Sequence, residues 1–242
     1  MNTATQEPSN VDRMLDAGAH YGLSKSRRHP TNKKNIFGTK QRNDIFDLEK
    51  TEVFLEKAKE FARKLGADRK VLMFVGGKPE SHRIIESTAV AIETPYCVGR
   101  WIGGTLTNFP EIKKRVALLK KLEADKESGA LGKYTKFERL QIDRQIEKLR
   151  AMYGGLLGLG DKLPHALFVI DPRREAIAVE EARTKGLPVI ALANTDCNLA
   201  HVDYPIPAND SAPKSIRFFV SEISTAYQEG LSGPQTPPAT KA

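Results

Sequence analysis

Four aspartates lie at or just after apolar runs of the sequence, and their side chains could do the most specific chemistry. Open α/β sheets place their ligand crevice at the carboxyl ends of strands, where carboxylates suit Mg²⁺. Aspartate also caps the turns and helices that follow a strand. Both interpretations stay open. The four residues are Asp171, Asp196, Asp203 and Asp210.

The sequence assigns no cofactor and no metal ligand, with a structural Mg²⁺ or Zn²⁺ ion as the alternative. Cys97 and Cys197 are far apart and have no partners at metal-finger spacing. The five histidines share no helical or strand spacing that would bring them together. No nucleophile and base are paired at a recognisable spacing, so we expect no enzyme.

Phosphate binding is the other chemistry to consider. The glycine turn Gly76-Gly77-Lys78 follows an apolar run and precedes a predicted helix, where free backbone N–H groups collect. It matches neither G-x-G-x-x-G nor G-x-x-x-x-G-K-[ST], so a plain strand-to-helix turn is favoured. An enzyme that binds a nucleotide phosphate here is the alternative function.

The strongest charge pattern is a basic segment over residues 25–42 that contains no acidic residue. Pro30, Gly38 and the lack of periodicity predict an extended loop, with Ile36-Phe37 as its only evident anchor. A basic irregular segment typically becomes ordered against phosphate. The alternative is a solvated loop that is charged for solubility. Its cations are Lys25, Arg27, Arg28, Lys33, Lys34, Lys40 and Arg42.

The segment Arg100–Phe109 joins the two halves of the predicted fold. It places the only tryptophan beside an arginine, followed by two glycines and by Thr105, Thr107 and Asn108. Exposed hydrogen-bonding groups on a flexible backbone suit contact with a large polar surface better than bond-breaking chemistry. We call residues 100–108 the junction.

Apolar runs alternate with helical patterns on both sides of the junction, which predicts one parallel sheet built from two halves. Between the halves, two narrow apolar seams and a capping box at Thr135 and Glu138 predict an inserted antiparallel coiled-coil hairpin. Its faces are rich in lysine and arginine, although interspersed acidic residues fit ordinary helix-surface pairing. The predicted division is 11–105 and 155–229 for the α/β domain, 106–154 for the hairpin, and disorder over 1–10 and 230–242.

Composition favours a polyanionic partner. The chain has 38 basic and 30 acidic residues, a formal net charge of +8 and a pI of about 9.4. Nucleic acid is the first candidate, since no apolar run approaches the roughly 20 residues that span a bilayer. The N-terminus lacks the pattern of a secretory signal, so we expect a cytoplasmic protein, with an organellar location not excluded.

Several blocks of the sequence resemble the bacterial type of the small-subunit ribosomal protein S-two family. They keep the family's order across roughly residues 11 to 229, and the full series is specific. The blocks are Gly18-Ala19-His20-Tyr21-Gly22, Asn35-Ile36-Phe37-Gly38, Asp47-Leu48-Glu49-Lys50-Thr51, Phe74-Val75-Gly76-Gly77-Lys78, Arg100–Phe109, Leu163–Asp171, Pro188–Asp196 and Ile206–Asp210.

The resemblance implies a Rossmann-like (flavodoxin-like) parallel sheet flanked by helices, with a protruding coiled-coil hairpin. It implies a structural protein of the small ribosomal subunit that binds 16S-type rRNA between head and body and supports assembly and translation. It also implies contact with neighbouring ribosomal proteins and docking of the mRNA-binding protein S-one near the mRNA exit. A regulatory RNA-binding protein outside the ribosome is the remaining alternative.

If the chain binds rRNA as the resemblance implies, lysine and arginine would contact phosphates, and Trp101 or Tyr21 would stack on a base or ribose. We expect neither a membrane nor a small-molecule substrate as a partner. The predicted rRNA-binding residues are Lys25, Arg27, Arg28, Lys33, Lys34, Lys40, Arg42, Arg100, Trp101, Thr105, Thr107, Asn108, Lys113 and Lys114.

Overall fold

The computed structural model describes residues 9–160 and 162–233. Within them the chain forms eight strands and seven α-helices. The strands are β1 Tyr21–Ser24, β2 Ile36–Lys40, β3 Asn43–Phe46, β4 Leu72–Gly76, β5 Tyr96–Val98, β6 Ala166–Ile170, β7 Val189–Ala193 and β8 Tyr204–Pro207. The helices are α1 Asn10–Asp16, α2 Leu48–Ala67, α3 Pro79–Ala91, α4 Phe109–Glu127, α5 Lys136–Tyr153, α6 Ala176–Thr184 and α7 Pro213–Ser232.

Five parallel strands form the central sheet in the order β5-β4-β6-β7-β8. Counted along the chain, this order is 2-1-3-4-5, as in flavodoxin-like folds. Strands from before and after the helical insertion lie side by side, because β4 pairs with β6. The predicted α/β fold with one parallel sheet built from both halves is confirmed.

The three inner strands β4, β6 and β7 are buried at every position because both faces of the sheet are covered there. In β4, Leu72 and Phe74 pack with helices α2, α3 and α7, whereas Met73 and Val75 pack with α6 and the root of the hairpin. Side chains alternate between the two faces of a strand, so a strand that is buried on both sides needs an apolar residue at every position. The sheet therefore supports helices on one face and the hairpin root on the other.

A second sheet, antiparallel and ordered β1-β3-β2, was not predicted, and its strand β2 lies within residues 25–42, where the sequence predicted an extended loop. The prediction was wrong for two physical reasons. The strands have four or five residues and are partly exposed, so no alternating apolar pattern marks them. The β2–β3 turn uses Gln41 and Arg42, both at positive φ, instead of the Asn-Gly pair that usually signals such a turn.

Helices α4 and α5 form the predicted hairpin between β5 and β6. The capping box at Thr135 and Glu138 is present. Ile112, Leu119 and Ile146 are buried towards the root, but Phe137 of the predicted seam is 66 % exposed. The apolar seam thus continues towards the tip beyond the part that is buried, and the coiled-coil geometry stays a prediction.

The predicted disordered ends lie mostly outside the described residues, which begin at Ser9 and end at Gly233. Ser9 caps α1 through a capping box with Asp12. Helix α7 continues past the predicted boundary at residue 229, where Gly230 meets α2 so closely that a Cβ would lie 2.0 Å from the carbonyl oxygen of Arg63. The domain boundaries stay predictions. No helix of the described ranges is both long and apolar enough to cross a membrane.

Candidate nucleic-acid interface

Residues 25–42, which we call the basic arm, are fastened to the loop that follows β7. The side-chain amide of Asn32, fully buried, donates to the backbone carbonyls of Asn194 at 3.1 Å and Cys197 at 3.0 Å. The backbone N–H of His29 donates to the carbonyl of Thr195 at 2.8 Å. Buried polar groups are stable only when they are hydrogen-bonded, so these bonds fix the arm at the carboxyl edge of the parallel sheet.

The predicted anchor was therefore misplaced. Of the predicted anchor Ile36-Phe37, Phe37 is 82 % exposed and Ile36 is half-buried, and buried Asn32 and Asn35 hold the segment instead. Asparagine is usually a surface residue, so the sequence alone gave no sign that these two were internal.

Two cations of the basic arm form salt bridges with aspartates of the chain itself. Arg28 binds Asp44 through two hydrogen bonds, Nε to Oδ2 at 2.6 Å and an Nη to Oδ1 at 2.5 Å, and Asp44 is fully buried. The hydrogen bond from Arg28 holds the pKa of Asp44 below its usual range. Arg27 bridges to Asp196 at 2.9 Å, and Asp196 also pairs with Arg173. These two arginines fasten the arm to its support.

The remaining cations of the arm point into solvent. All five are exposed, and none forms a side-chain ion pair with a residue that the structure describes. The ring of Phe37 is exposed among them. The five cations are Lys25, Lys33, Lys34, Lys40 and Arg42.

The junction has a different geometry, because its hydrogen-bond donors turn inward onto one carboxylate. Glu181 of α6 is only 7 % exposed and accepts five hydrogen bonds from this segment. Backbone N–H groups donate at 2.7 Å from Gly104, 2.9 Å from Leu106 and 3.0 Å from Thr107. The Thr107 hydroxyl and the Trp101 indole N–H complete the set at 3.1 and 3.2 Å.

Successive backbone N–H groups that converge on one point form an anion-binding nest. Burial would raise the pKa of the Glu181 carboxyl, but the backbone donors of Thr107, Leu106 and Gly104 outweigh burial and lower that pKa. Gly104 adopts φ +91°, a conformation that favours glycine, which lets the chain turn around the carboxylate. The junction is thus folded around an anion that the chain itself supplies.

This arrangement divides the predicted contacts of the junction. Trp101 is 5 % exposed and Thr105 is 1 % exposed, so neither side chain is presented to a partner in this structure. Arg100, Thr107 and Asn108 are exposed. Arg100 follows β5 and therefore lies at the carboxyl edge of the sheet. The basic arm lies at the same edge, because it is bound to the loop that follows β7.

Two further arginines at this edge were missed by the sequence analysis. Arg173 and Arg174 follow β6 and are exposed. Asp171 explains their position, because its Oδ1 accepts the backbone N–H groups of both at 3.2 and 3.1 Å. The sequence pattern that could have identified them is a pair of arginines three and four residues after the end of an apolar run, because open α/β sheets bind ligands at the carboxyl ends of their strands.

The crevice between β4 and β6, where flavodoxin-like folds bind ligands, is filled by the chain's own side chains. Lys78 Nζ lies 2.8 Å from Asp171 Oδ2 and 2.9 Å from Asp210 Oδ2. Burial would lower the pKa of Lys78, but the charges of Asp210 and Asp171 raise it above its ordinary value. A Cβ on Gly77 would lie 2.2 Å from Oε1 of Glu175, so the glycine turn faces a carboxylate where a phosphate would sit.

A metal ion does not fit this cluster as it stands. Asp171, Cys197 and Asp210 each offer one ligand atom, all within 4.8 Å of one another. The Lys78 ammonium already occupies the cation position between the two carboxylates. Burial also raises the pKa of the Cys197 thiol, whereas a metal ligand must be a thiolate. Of the other predicted ligands, Asp203 accepts the backbone N–H of Val189 at 2.8 Å.

The hairpin carries both paired and unpaired cations. Lys126 bridges to Asp143 and Arg150 to Glu123 across the two helices, each at 2.6 Å. Predicted contact residue Lys114 pairs with Glu111 at 2.6 Å, and Lys113 is exposed. Part of the charge is therefore ordinary surface pairing. Exposed cations without an ion pair to a described residue are Arg115, Lys120, Lys121, Lys133, Lys136, Arg139, Arg144 and Lys148.

Comparison with known proteins decides the family. The model of the family described as Ribosomal protein S2 matches residues 14–230. A small ribosomal subunit protein uS2 of Dictyoglomus thermophilum is 41 % identical over 220 residues, covering 91 % of this chain and 89 % of its own length. The chain belongs to the Ribosomal protein S2 family. Proteins of the same name are 38 % identical in Chloroflexus aurantiacus (95 % and 96 % covered) and 40 % identical in Wolinella succinogenes (94 % and 84 % covered).

Membership of the Ribosomal protein S2 family confirms the predicted resemblance and identifies a ribosomal protein, not an enzyme. The filled crevice of this S2-family chain agrees with that assignment, since Lys78 and Glu175 occupy the places of a ligand. Sequence reasoning missed Glu181 and Arg174. Glu181 lies 74 to 80 positions after its donors, and no local pattern connects them.

Proposed function

We propose that this S2-family chain is a structural constituent of the small ribosomal subunit that binds 16S-type rRNA along the carboxyl edge of its parallel sheet. One observation carries the proposal. Exposed cations from separate segments collect at this edge: Arg100 follows β5, Arg174 follows β6, and the basic arm is bound to the loop that follows β7. Arg100, Arg174 and the five outward cations of the arm form no ion pair with a described residue, whereas Arg27 and Arg28 of the arm do.

This geometry suits RNA because phosphate contacts set affinity and orientation, while a rigid support sets which shape is recognised. The arm's lysines extend from a segment that buried asparagines hold in place, so its backbone loses little conformational freedom on binding. Asn108 offers an exposed polar side chain in the same segment as Arg100, whereas the Thr107 hydroxyl is already bound to Glu181. Exposed cations of the hairpin extend the positive surface away from the sheet. Trp101 and Thr105 are left out of the proposed contact because they are buried.

The test of this function is assembly with the subunit. The chain should cosediment with small subunits that lack their own S2-family protein, remain bound through a salt wash, and protect segments of 16S-type rRNA from cleavage. A regulator that acts outside the ribosome would bind a free RNA but would not remain with washed subunits.

We also propose that the chain helps dock ribosomal protein S-one, using the exposed aromatic rings of the small antiparallel sheet. Phe37 is exposed on β2 and Tyr21 on β1, and both strands pair with β3. Exposed aromatic residues with a neighbouring polar rim are typical of protein interfaces.

Replacing Phe37 by serine should reduce the amount of S-one that subunits retain, while the chain itself stays bound. Val90→Ser removes an equally isolated apolar side chain from α3 and is the matched control. Retention of S-one by the Phe37→Ser subunit at the level of the control would refute this part of the proposal, and loss of rRNA affinity instead would assign the ring to the RNA.

A further inference from the structure

The direction of the hairpin depends on the junction, because the junction and Gly99 together form the whole connection between β5 and α4. Its residues form neither strand nor helix, and glycines at 99 and 104 adopt positive φ. Glycine leaves the backbone free to adopt many conformations. Something outside the segment must therefore select the one that aims α4.

We propose that Glu181 is a positioning residue for RNA binding: its buried carboxylate locks the root of the hairpin so that hairpin and basic arm reach the same RNA together. This rests on the proposed rRNA-binding function. Both carboxylate oxygens are used, Oε1 by Trp101 and Gly104, and Oε2 by Leu106 and Thr107. Four residues of the connection are thereby tied to one point on α6.

The other root of the hairpin is held differently. After α5, the chain passes the edge strand so closely that a Cβ on Gly155 would lie 2.2 Å from the carbonyl oxygen of Tyr96. Leu156 and Leu159 of the same turn are buried. Packing thus holds the returning end, while a buried charge holds the outgoing end.

Rigid presentation matters because the proposed contacts lie on two parts of the molecule. Once one part is bound, the second binds at an effective concentration that depends on how well its position is fixed. A hairpin that swings from its root would have to be ordered on binding, and the cost of that ordering reduces affinity.

The chemistry requires a carboxylate at position 181. All five partners are donors, so an amide would turn its NH₂ group towards N–H groups and lose at least one bond. Removing a negative charge would by itself strengthen attraction to RNA. Weaker binding by Glu181→Gln would therefore have the opposite sign from the electrostatic effect, which separates positioning from simple charge.

The experiment compares Glu181→Gln with Glu180→Gln in the full chain, using 16S-type rRNA as the probe. Glu180 lies on the same helix, is exposed, and pairs only with Arg183 among the described residues. We expect Glu181→Gln to weaken binding about tenfold with an unchanged slope of log affinity against log salt, because no phosphate contact is removed. Glu180→Gln should bind as tightly as the parent chain or slightly more tightly.

A distance measurement adds a readout that loss of stability would not give. Spin labels at Lys57→Cys on α2 and Arg144→Cys on α5 report the direction of the hairpin, and both native cysteines are buried. The distance distribution should be narrow in the parent chain and in Glu180→Gln, and broader in folded Glu181→Gln. If Glu181→Gln does not fold, Trp101→Phe removes the indole N–H donor and keeps an aromatic side chain, and it should shift both readouts in the same direction by less.

Parent-like affinity and a narrow distribution in Glu181→Gln would overturn the positioning role. A parent chain that binds no rRNA while Glu181→Gln still broadens the distribution would refute the proposed function and the purpose of the lock, but not the lock itself.

Discussion

The basic arm and the junction were both predicted to present polar groups to RNA, and the structure arranges them in opposite ways. In the arm, buried Asn32 fixes the backbone and the lysines at 33 and 34 point outward. In the junction, the polar groups of Trp101 and Thr107 point inward to Glu181. The arm is held by buried side chains and directs its lysines outward, whereas the junction folds around a buried carboxylate and directs its donors inward.

The difference shows that composition reveals how many donors a segment has, but not where they point. Direction is decided by acidic and carbonyl partners that lie far along the chain. Asp44 forms a salt bridge with Arg28 of the arm, and Glu181 accepts hydrogen bonds from four residues of the junction. The donors left over, such as Lys33 and Arg100, are the ones available to a partner.

Removing the Glu181 carboxylate, around which the junction folds, should have the largest effect on stability. Glu181→Ala leaves five donors without their acceptor, and we expect it to lower the free energy of unfolding by about 3 kcal/mol or more. Denaturant unfolding measures this change. Glu180→Ala on the same helix should stay within about 0.5 kcal/mol of the parent. Equal values for the two variants would show that the junction is not organised by Glu181.

The corresponding change in the arm should be smaller. Arg28→Ala leaves the fully buried Asp44 without its cation, and we expect a loss of about 2 kcal/mol in the free energy of unfolding. Lys25→Ala, which removes an exposed cation from the same segment, should change stability by less than about 0.5 kcal/mol. A large effect of Lys25→Ala would contradict the division between inward and outward cations.

Acid should weaken the junction in a way that identifies Glu181. Folding lowers the pKa of this carboxyl from its ordinary value of 4.5. A lowered pKa contributes stability above the ordinary value, and that stability is lost as the pH falls through the folded pKa. The stability gap between the parent chain and Glu181→Gln should therefore be largest near pH 7 and shrink below about pH 4.5. A gap that stays constant down to pH 3 would exclude an ionised Glu181 as the cause.

The smallest effect should come from the exposed ring of the arm. Phe37→Ser should change the free energy of unfolding by less than about 0.5 kcal/mol, because the side chain is 82 % exposed and has little packing to lose. Thermal unfolding measures it. A loss above about 2 kcal/mol would mean that Phe37 anchors the arm after all.

The middle of the central sheet was predictable from sequence because its three inner strands, β4, β6 and β7, are buried on both faces and carry no polar side chain. The run 166–170 is one example, and the strand matches it at both ends. The capping box at Thr135 and Glu138 was readable because its two partners are three residues apart. The small antiparallel sheet was not readable, since Gln41-Arg42 gives no turn signal and the strands are partly exposed.

The candidate site was predictable only in part, and for a related reason. Positive charge is a local property, so the outward lysines of the arm could be named from sequence. Burial of Trp101 depends on Glu181, which lies 80 residues away. The cation position between Asp171 and Asp210 is filled by Lys78, which comes from a different strand end.

The most direct test of the account is the salt dependence of binding to 16S-type rRNA by the double variant Lys33→Ala/Lys34→Ala. Lys64→Ala/Lys185→Ala is the matched control, because both lysines are exposed, Lys64 in the last turn of the helix that precedes β4 and Lys185 at the end of the helix that precedes β7, towards the opposite edge of the sheet. The account predicts that the arm variant binds more weakly and that its slope of log affinity against log salt falls by about 1 per lysine, while the control keeps the parent slope. An unchanged slope in the arm variant, or an equal fall in the control, would contradict the claim that the carboxyl edge of this sheet is the RNA-binding surface.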